Sequence, residues 1–107
     1  MKDLASKLNE FIEVPEGQAR LTKLEERLYR SLRTQGERAT KGRSISRCVF
    51  ESHPGEEGAR LVMIMEGRYS VSVGNQIVRR FAGMPEVGSV IVKRTDAGAK
   101  VVLRLVG

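Results

Sequence analysis

Arg20, Lys23, Arg27, Arg30 and Arg33 recur at intervals of three or four residues, and Arg38, Lys41 and Arg43 follow closely. Guanidinium and ammonium groups spaced in this way are suited to one kind of chemistry. They hold a row of anions, and a phosphodiester backbone is such a row. The charge is concentrated rather than spread. Residues 16–47 hold nine Lys or Arg against four Glu, a net +5, whereas residues 48–107 stand at +2 and residues 1–15 at −1. A localised basic patch of this kind is the electrostatic footprint of an anion-binding surface. Arg47 carries the charge a little further, and Arg68, Arg79, Arg80, Lys93, Arg94 and Arg104 are scattered over the second half.

Other chemistries find little support. The one histidine, His53, sits beside Pro54, where a loop is expected, and reads as an exposed side chain. A triad would need a nucleophile and an orienting carboxylate brought to it by the fold. Glu51, Glu56 and Glu57 flank His53, but one histidine and scattered glutamates fall short of a zinc ligand set. Cys48, the only cysteine, lies between Arg47 and Val49 in a strand-like run and reads as a small buried apolar residue. The stretch GERATKGRS, 36–44, superficially resembles a phosphate-binding loop. Five residues instead of four separate Gly36 from Gly42, and Arg43 stands where lysine is required. A helix precedes it and a strand follows, so no helix N-terminus would face a phosphate. The expectation is a protein with no catalytic residue, no metal and no cofactor.

The elements that must position the basic residues follow from periodicity. Leu4, Leu8, Phe11 and Ile12 share one helical face, which predicts a first helix from Asp3 to Ile12, ended by Val14-Pro15. A second helix is expected from Glu16 to Gln35 with Gly36 as its C-cap. Leu21, Leu24, Leu28 and Leu32 form its apolar stripe, and at ~100° per residue the five cations from Arg20 to Arg33 fall on the opposite side. Glu26 is placed to pair with Arg30 one turn on. Glu37 to Arg43 then reads as a polar, basic linker.

The remainder reads as six strands, at about 44–51, 59–65, 68–73, 76–81, 89–95 and 99–106. Tyr69, Val71 and Val73 alternate with polar residues, the pattern of a half-buried strand, while Leu61 to Met65 is apolar throughout. Glu66-Gly67 and Gly74-Asn75 suit two-residue hairpin loops, and Asp96-Ala97-Gly98 suits a three-residue loop with Gly98 left-handed. Gly83 to Gly88 reads as a looser connection. The expected fold is α+β in a single domain of residues 1–107, helical over 1–43 and antiparallel β over 44–107. Two N-terminal helices would precede a six-stranded meander, curled into a small barrel or a strongly twisted sheet. No internal repeat is visible.

Composition bounds the class. The chain has 107 residues, 40% hydrophobic and 30% charged, with a net charge of +6, as in a globular domain. It shows no signal peptide and no run of the ~20 apolar residues that a membrane helix needs. The lone cysteine fits a reducing compartment, so the expected location is cytoplasmic. Two functions are carried forward. The first is a non-enzymatic nucleic-acid-binding or regulatory accessory protein, whose contacts would be Arg20, Lys23, Arg27, Arg30, Arg33, Arg38, Lys41 and Arg43. The alternative is a protein–protein interaction module, an assembly subunit or a small inhibitor that docks on an acidic partner surface. Aromatic residues are few and fall mostly at core positions, which favours duplex backbone binding over stacking on single strands. A basic amphipathic helix also suits anionic membranes, but this one lacks Trp and Phe, and no membrane partner is expected. A homo-oligomer is expected through the C-terminal strand or the leucine stripe. The leucine stripe separates the two readings: buried, it leaves the basic face for binding; exposed, it marks a protein interface.

Overall fold

The computed structural model describes residues 20–106. The expected first helix, Asp3 to Ile12, lies outside them. The described chain runs helix, hairpin, helix, hairpin: α1 (Lys23–Thr40), β1 (Ile45–His53), β2 (Arg60–Gly67), α2 (Ser70–Phe81), β3 (Val87–Arg94) and β4 (Gly98–Leu105).

α1 starts later than the leucine spacing predicted, because Thr22 and Glu25 form a capping box. Glu25 N–H donates to Thr22 Oγ1 at 3.1 Å, and Thr22 N–H donates to Glu25 Oε1 at 2.8 Å. Two of the N–H groups that a helix start leaves without partners are satisfied this way. Leu28, Leu32 and Gly36 form its buried face. Gly36 is therefore not a C-cap; the helix continues to Thr40, and the expected linker begins only at Lys41.

The largest correction concerns residues 68–81. They form a turn, 68–69, and then α2, not two strands joined at Gly74-Asn75. Ser70, Val73, Gly74, Ile77 and Phe81 are buried, at i, i+3, i+4, i+7 and i+11. Glu66-Gly67 is likewise no hairpin, since β2 leads through Gly67 into α2. The strand expectations at 44–51, 59–65, 89–95 and 99–106 correspond to β1 to β4 with ends shifted by up to two residues. A three-residue loop, 95–97, joins β3 to β4. Gly98 is not left-handed; it is small because a Cβ there would overlap the Met65 carbonyl oxygen.

The fold is α+β, but it is neither a six-stranded meander nor a barrel. The sheet is open, four-stranded and antiparallel, in the order β1-β2-β4-β3. Two αββ units, α1-β1-β2 and α2-β3-β4, meet where β2 pairs with β4. Strand β4 is thus paired on both sides, and the C-terminal strand offers no free edge. The edges are β1 and β3.

Both helices cover the same sheet face. Leu61, Met63, Met65, Ala99, Val101 and Leu103 are fully buried on it, with Leu28, Leu32, Val73, Ile77 and Phe81 packed above. The halves mirror one another at a single cross-strand row, Phe50–Met63–Val101–Val92. Gly36 of α1 sits on its first half, where a Cβ would lie 2.7 Å from Phe50 Cζ and 3.0 Å from Met63 Cε. Gly74 of α2 sits on the other, 3.1 Å from Val92 and 3.3 Å from Val101 by the same measure. Each helix approaches its own hairpin through a glycine, an internal symmetry of structure with no repeat in sequence.

Candidate nucleic-acid interface

α1 turns Leu28, Leu32 and Gly36 to the sheet, so its polar arc faces away from the protein. All eight residues singled out from sequence are exposed: Arg20 before the helix, Lys23, Arg27, Arg30, Arg33 and Arg38 on it, Lys41 as its C-cap residue, and Arg43 in the following turn. At about 100° per residue, Lys23, Arg27, Arg30 and Arg38 fall within an arc of about 80°, opposite Leu28, Leu32 and Gly36. Leu21 is partly buried against the core, and Leu24 is 41% exposed.

The carboxylates of α1 leave most of this face without partners among the described residues. Glu25 is engaged by the capping box. Arg33 reaches Glu37 at 4.0 Å, and its guanidinium lies 5.7 Å from the Phe50 ring centroid, so it is turned toward β1. Among the described residues, Arg33 is the one member of the eight with a carboxylate within ion-pair distance; the expected Glu26–Arg30 pair does not form. An exposed ion pair such as Arg33–Glu37 contributes about 0–1 kcal/mol and is screened by salt.

Arg47 does not extend the helical surface. It is on β1 at the register opposite Glu66, 3.5 Å from Glu66 Oε2, and so faces the side of the sheet that α1 and α2 leave open. Arg79 and Arg80, expected on opposite faces of a strand, are both exposed in the last turn of α2. That position suits cations, because the helix C-terminus carries partial negative charge. The residues that sequence reasoning passed over are Arg60 and Lys100. Nothing in their local spacing marks them; only the register of β2, β4 and β3 shows what stands beside them.

The residues considered for other chemistry are placed as follows. His53 ends β1 instead of lying in a loop, is exposed, and has Nε2 3.0 Å from Glu51 Oε1. No group of three or more His, Cys, Asp or Glu side chains that could hold a metal occurs among the described residues. In the stretch 36–44 a helix precedes and a strand follows, so no helix start faces an anion there. No described helix is long and apolar enough to cross a membrane.

Cys48 is half-buried at the register opposite Met65, on the helix-covered face. Burial pushes its thiol above the ordinary value of 9.0, and the Glu37 carboxylate adds to the effect. The folded chain therefore holds this proton more tightly than the unfolded chain. The resulting stabilisation is present below about pH 9.0 and is lost as pH rises through the higher folded value. Alkylation by iodoacetamide at pH 8 is expected to be several-fold slower in the native protein than in urea. Equal rates in the two states would contradict this account.

Comparison of the chain with protein-family models, curated proteins and solved structures finds no significant match.

Proposed function

We propose that this is a non-enzymatic nucleic-acid-binding or regulatory accessory protein that lays α1 along a phosphate backbone. The observation that carries the reading is the division of α1: Leu28 and Leu32 are buried in the protein's own core, and the opposite arc holds exposed cations without carboxylate partners among the described residues. A helix so arranged has the centre of its apolar face buried and a row of positive charge left over. The protein-docking alternative combines charge complementarity to an acidic partner with the leucine stripe or the C-terminal strand. Two of the four leucines are buried, and β4 is paired on both sides, so both surfaces are reduced.

The test is a titration of the full chain against duplex DNA, duplex RNA and single-stranded DNA at several salt concentrations. Contacts to about four phosphates give a slope of log affinity against log salt of roughly −3 to −4 for a duplex. Changing Arg20, Lys23, Arg27 and Arg30 together to alanine is expected to flatten that slope toward zero and to weaken binding at low salt by tenfold or more. No binding at low salt, or an affinity indifferent to salt, sinks the reading. A pull-down with an acidic protein surface would then be the next measurement.

A further inference from the structure

The sheet has a second face, and its residues come into line only through strand register. Opposed residues in antiparallel strands share a face. One row across this open face is His53–Arg60–Arg104–Ser89, the next is Glu51–Val62–Val102–Ile91, and the third is Val49–Ile64–Lys100–Lys93. Arg60 stands directly opposite Arg104, and Lys93 directly opposite Lys100. Like charges so placed destabilise a sheet. This face nevertheless carries two such pairs, and neither has a carboxylate within ion-pair distance among the described residues. The two acids of the face are engaged elsewhere, Glu66 with Arg47 at 3.5 Å and Glu51 with His53 at 3.0 Å.

Two pairs of opposed cations, without carboxylate partners among the described residues and on one sheet face, call for anions from outside. The pairs are separated by the aliphatic row Val62–Val102–Ile91, which runs from buried Val62, 7% exposed, through half-buried Val102 to Ile91, 44% exposed. Lys100 and Arg104 are four residues apart on β4, about 13 Å along a strand. A duplex groove is about 6 to 12 Å wide and is bordered by two phosphate backbones. We infer that the open sheet face is a second nucleic-acid surface, straddling a duplex groove with Arg60 and Arg104 on one backbone and Lys93 and Lys100 on the other. Ile91, the exposed end of the aliphatic row, faces the groove between them, as strand residues do in proteins that read DNA with a sheet. A second copy of the chain is a poor occupant, since it would bring the same excess of positive charge. Because α1 covers the other side of the sheet, the two surfaces face apart, and one molecule joins two duplexes.

The inference rests on the nucleic-acid reading above, and the experiment separates the two. Biotinylated and fluorescein-labelled duplexes are mixed with the full chain, and fluorescence captured on streptavidin reports bridging. The native protein is expected to bridge. The variants R60A/R104A and K93A/K100A are expected to lose bridging at least tenfold while binding single duplexes through α1. Their thermal midpoints should equal or exceed the native one, because each removes a like-charge pair. Bridging that survives both variants overturns the inference and leaves the α1 reading intact. Single-duplex binding by the native protein without bridging does the same. Absence of any duplex binding overturns both. Poly-glutamate that binds the native protein as tightly as duplex does, with its binding lost in the sheet variants, assigns the face to an acidic protein and overturns the inference.

Discussion

Gly67→Ala is expected to lower stability by about 2–6 kcal/mol, the sum of backbone strain and overpacking. Gly67 closes β2 and turns the chain into α2. Its φ of 138° lies in a region that L side chains rarely adopt. A Cβ there would overlap the Ser44 carbonyl oxygen and come 2.9 Å from Ile45 Cα. Both obstacles are backbone, so no rotamer change relieves them. The same strip of chain carries the hydrogen bonds that hold the joint, Gly67 N–H to the Ala97 carbonyl at 2.9 Å and Arg68 N–H to the Ser44 carbonyl at 3.2 Å. Small domains have only about 5–15 kcal/mol in hand, so the variant should show a large fall in urea midpoint or fail to fold. Gly42→Ala is the control. Gly42 also has a positive φ, 75°, but a Cβ there meets nothing within 4 Å. Its cost should be limited to left-handed strain, about 1–2 kcal/mol. Equal losses at the two positions would show that crowding at Gly67 contributes nothing.

Leu32→Ala is expected to cost about 2–5 kcal/mol, the range for deleting a large apolar side chain in a core that cannot collapse around the gap. Leu32 is 0% exposed and packs in the cluster with Leu28, Met63 and Ile77. Leu24 belongs to the same stripe by spacing but is 41% exposed, and Leu24→Ala should stay within about 0.5 kcal/mol. The contrast reads directly on function. The proposal needs the stripe to be spent on the protein's own sheet, and urea midpoints of the two variants measure how far it is. A loss at Leu24 as large as at Leu32 would show that Leu24 also packs within the protein, tightening the same argument. A negligible loss at Leu32 would reopen the stripe as a docking surface.

Much of the site was legible in sequence because it depends on local periodicity. The inward Leu28 and Leu32 and the outward cations of α1 follow from 3.6 residues per turn, whatever the helix packs against. The helix ends did not follow from the leucines. The Thr22-x-x-Glu25 box was present to be read, and Gly36 imitated a terminator. It is glycine because Phe50, fourteen residues on, lies against it. The α2 segment was misread for a related reason. Tyr69, Val71 and Val73 alternate over five residues, and valine favours strands, but the penalty for valine in a helix is only a few tenths of a kcal/mol. Burial of Val73, Ile77 and Phe81 outweighs it, at about 1.5–3 kcal/mol for each large side chain. Gly74, which looked like a turn, lets the helix settle onto Val92 and Val101.

By itself, then, the sequence determined the places of the four strands, though it added two that are helix, together with one two-faced basic helix and where most of the charge would lie. These are properties of neighbours along the chain, set by side-chain direction and by short-range turns. Only the tertiary structure decided that β4 runs through the middle of the sheet, that a second helix shares α1's side, and that Arg60 faces Arg104 across 44 positions of sequence. Such pairings are set by which strands find each other and in what register. That choice is made by burial of one whole sheet face at once, and no local pattern encodes it.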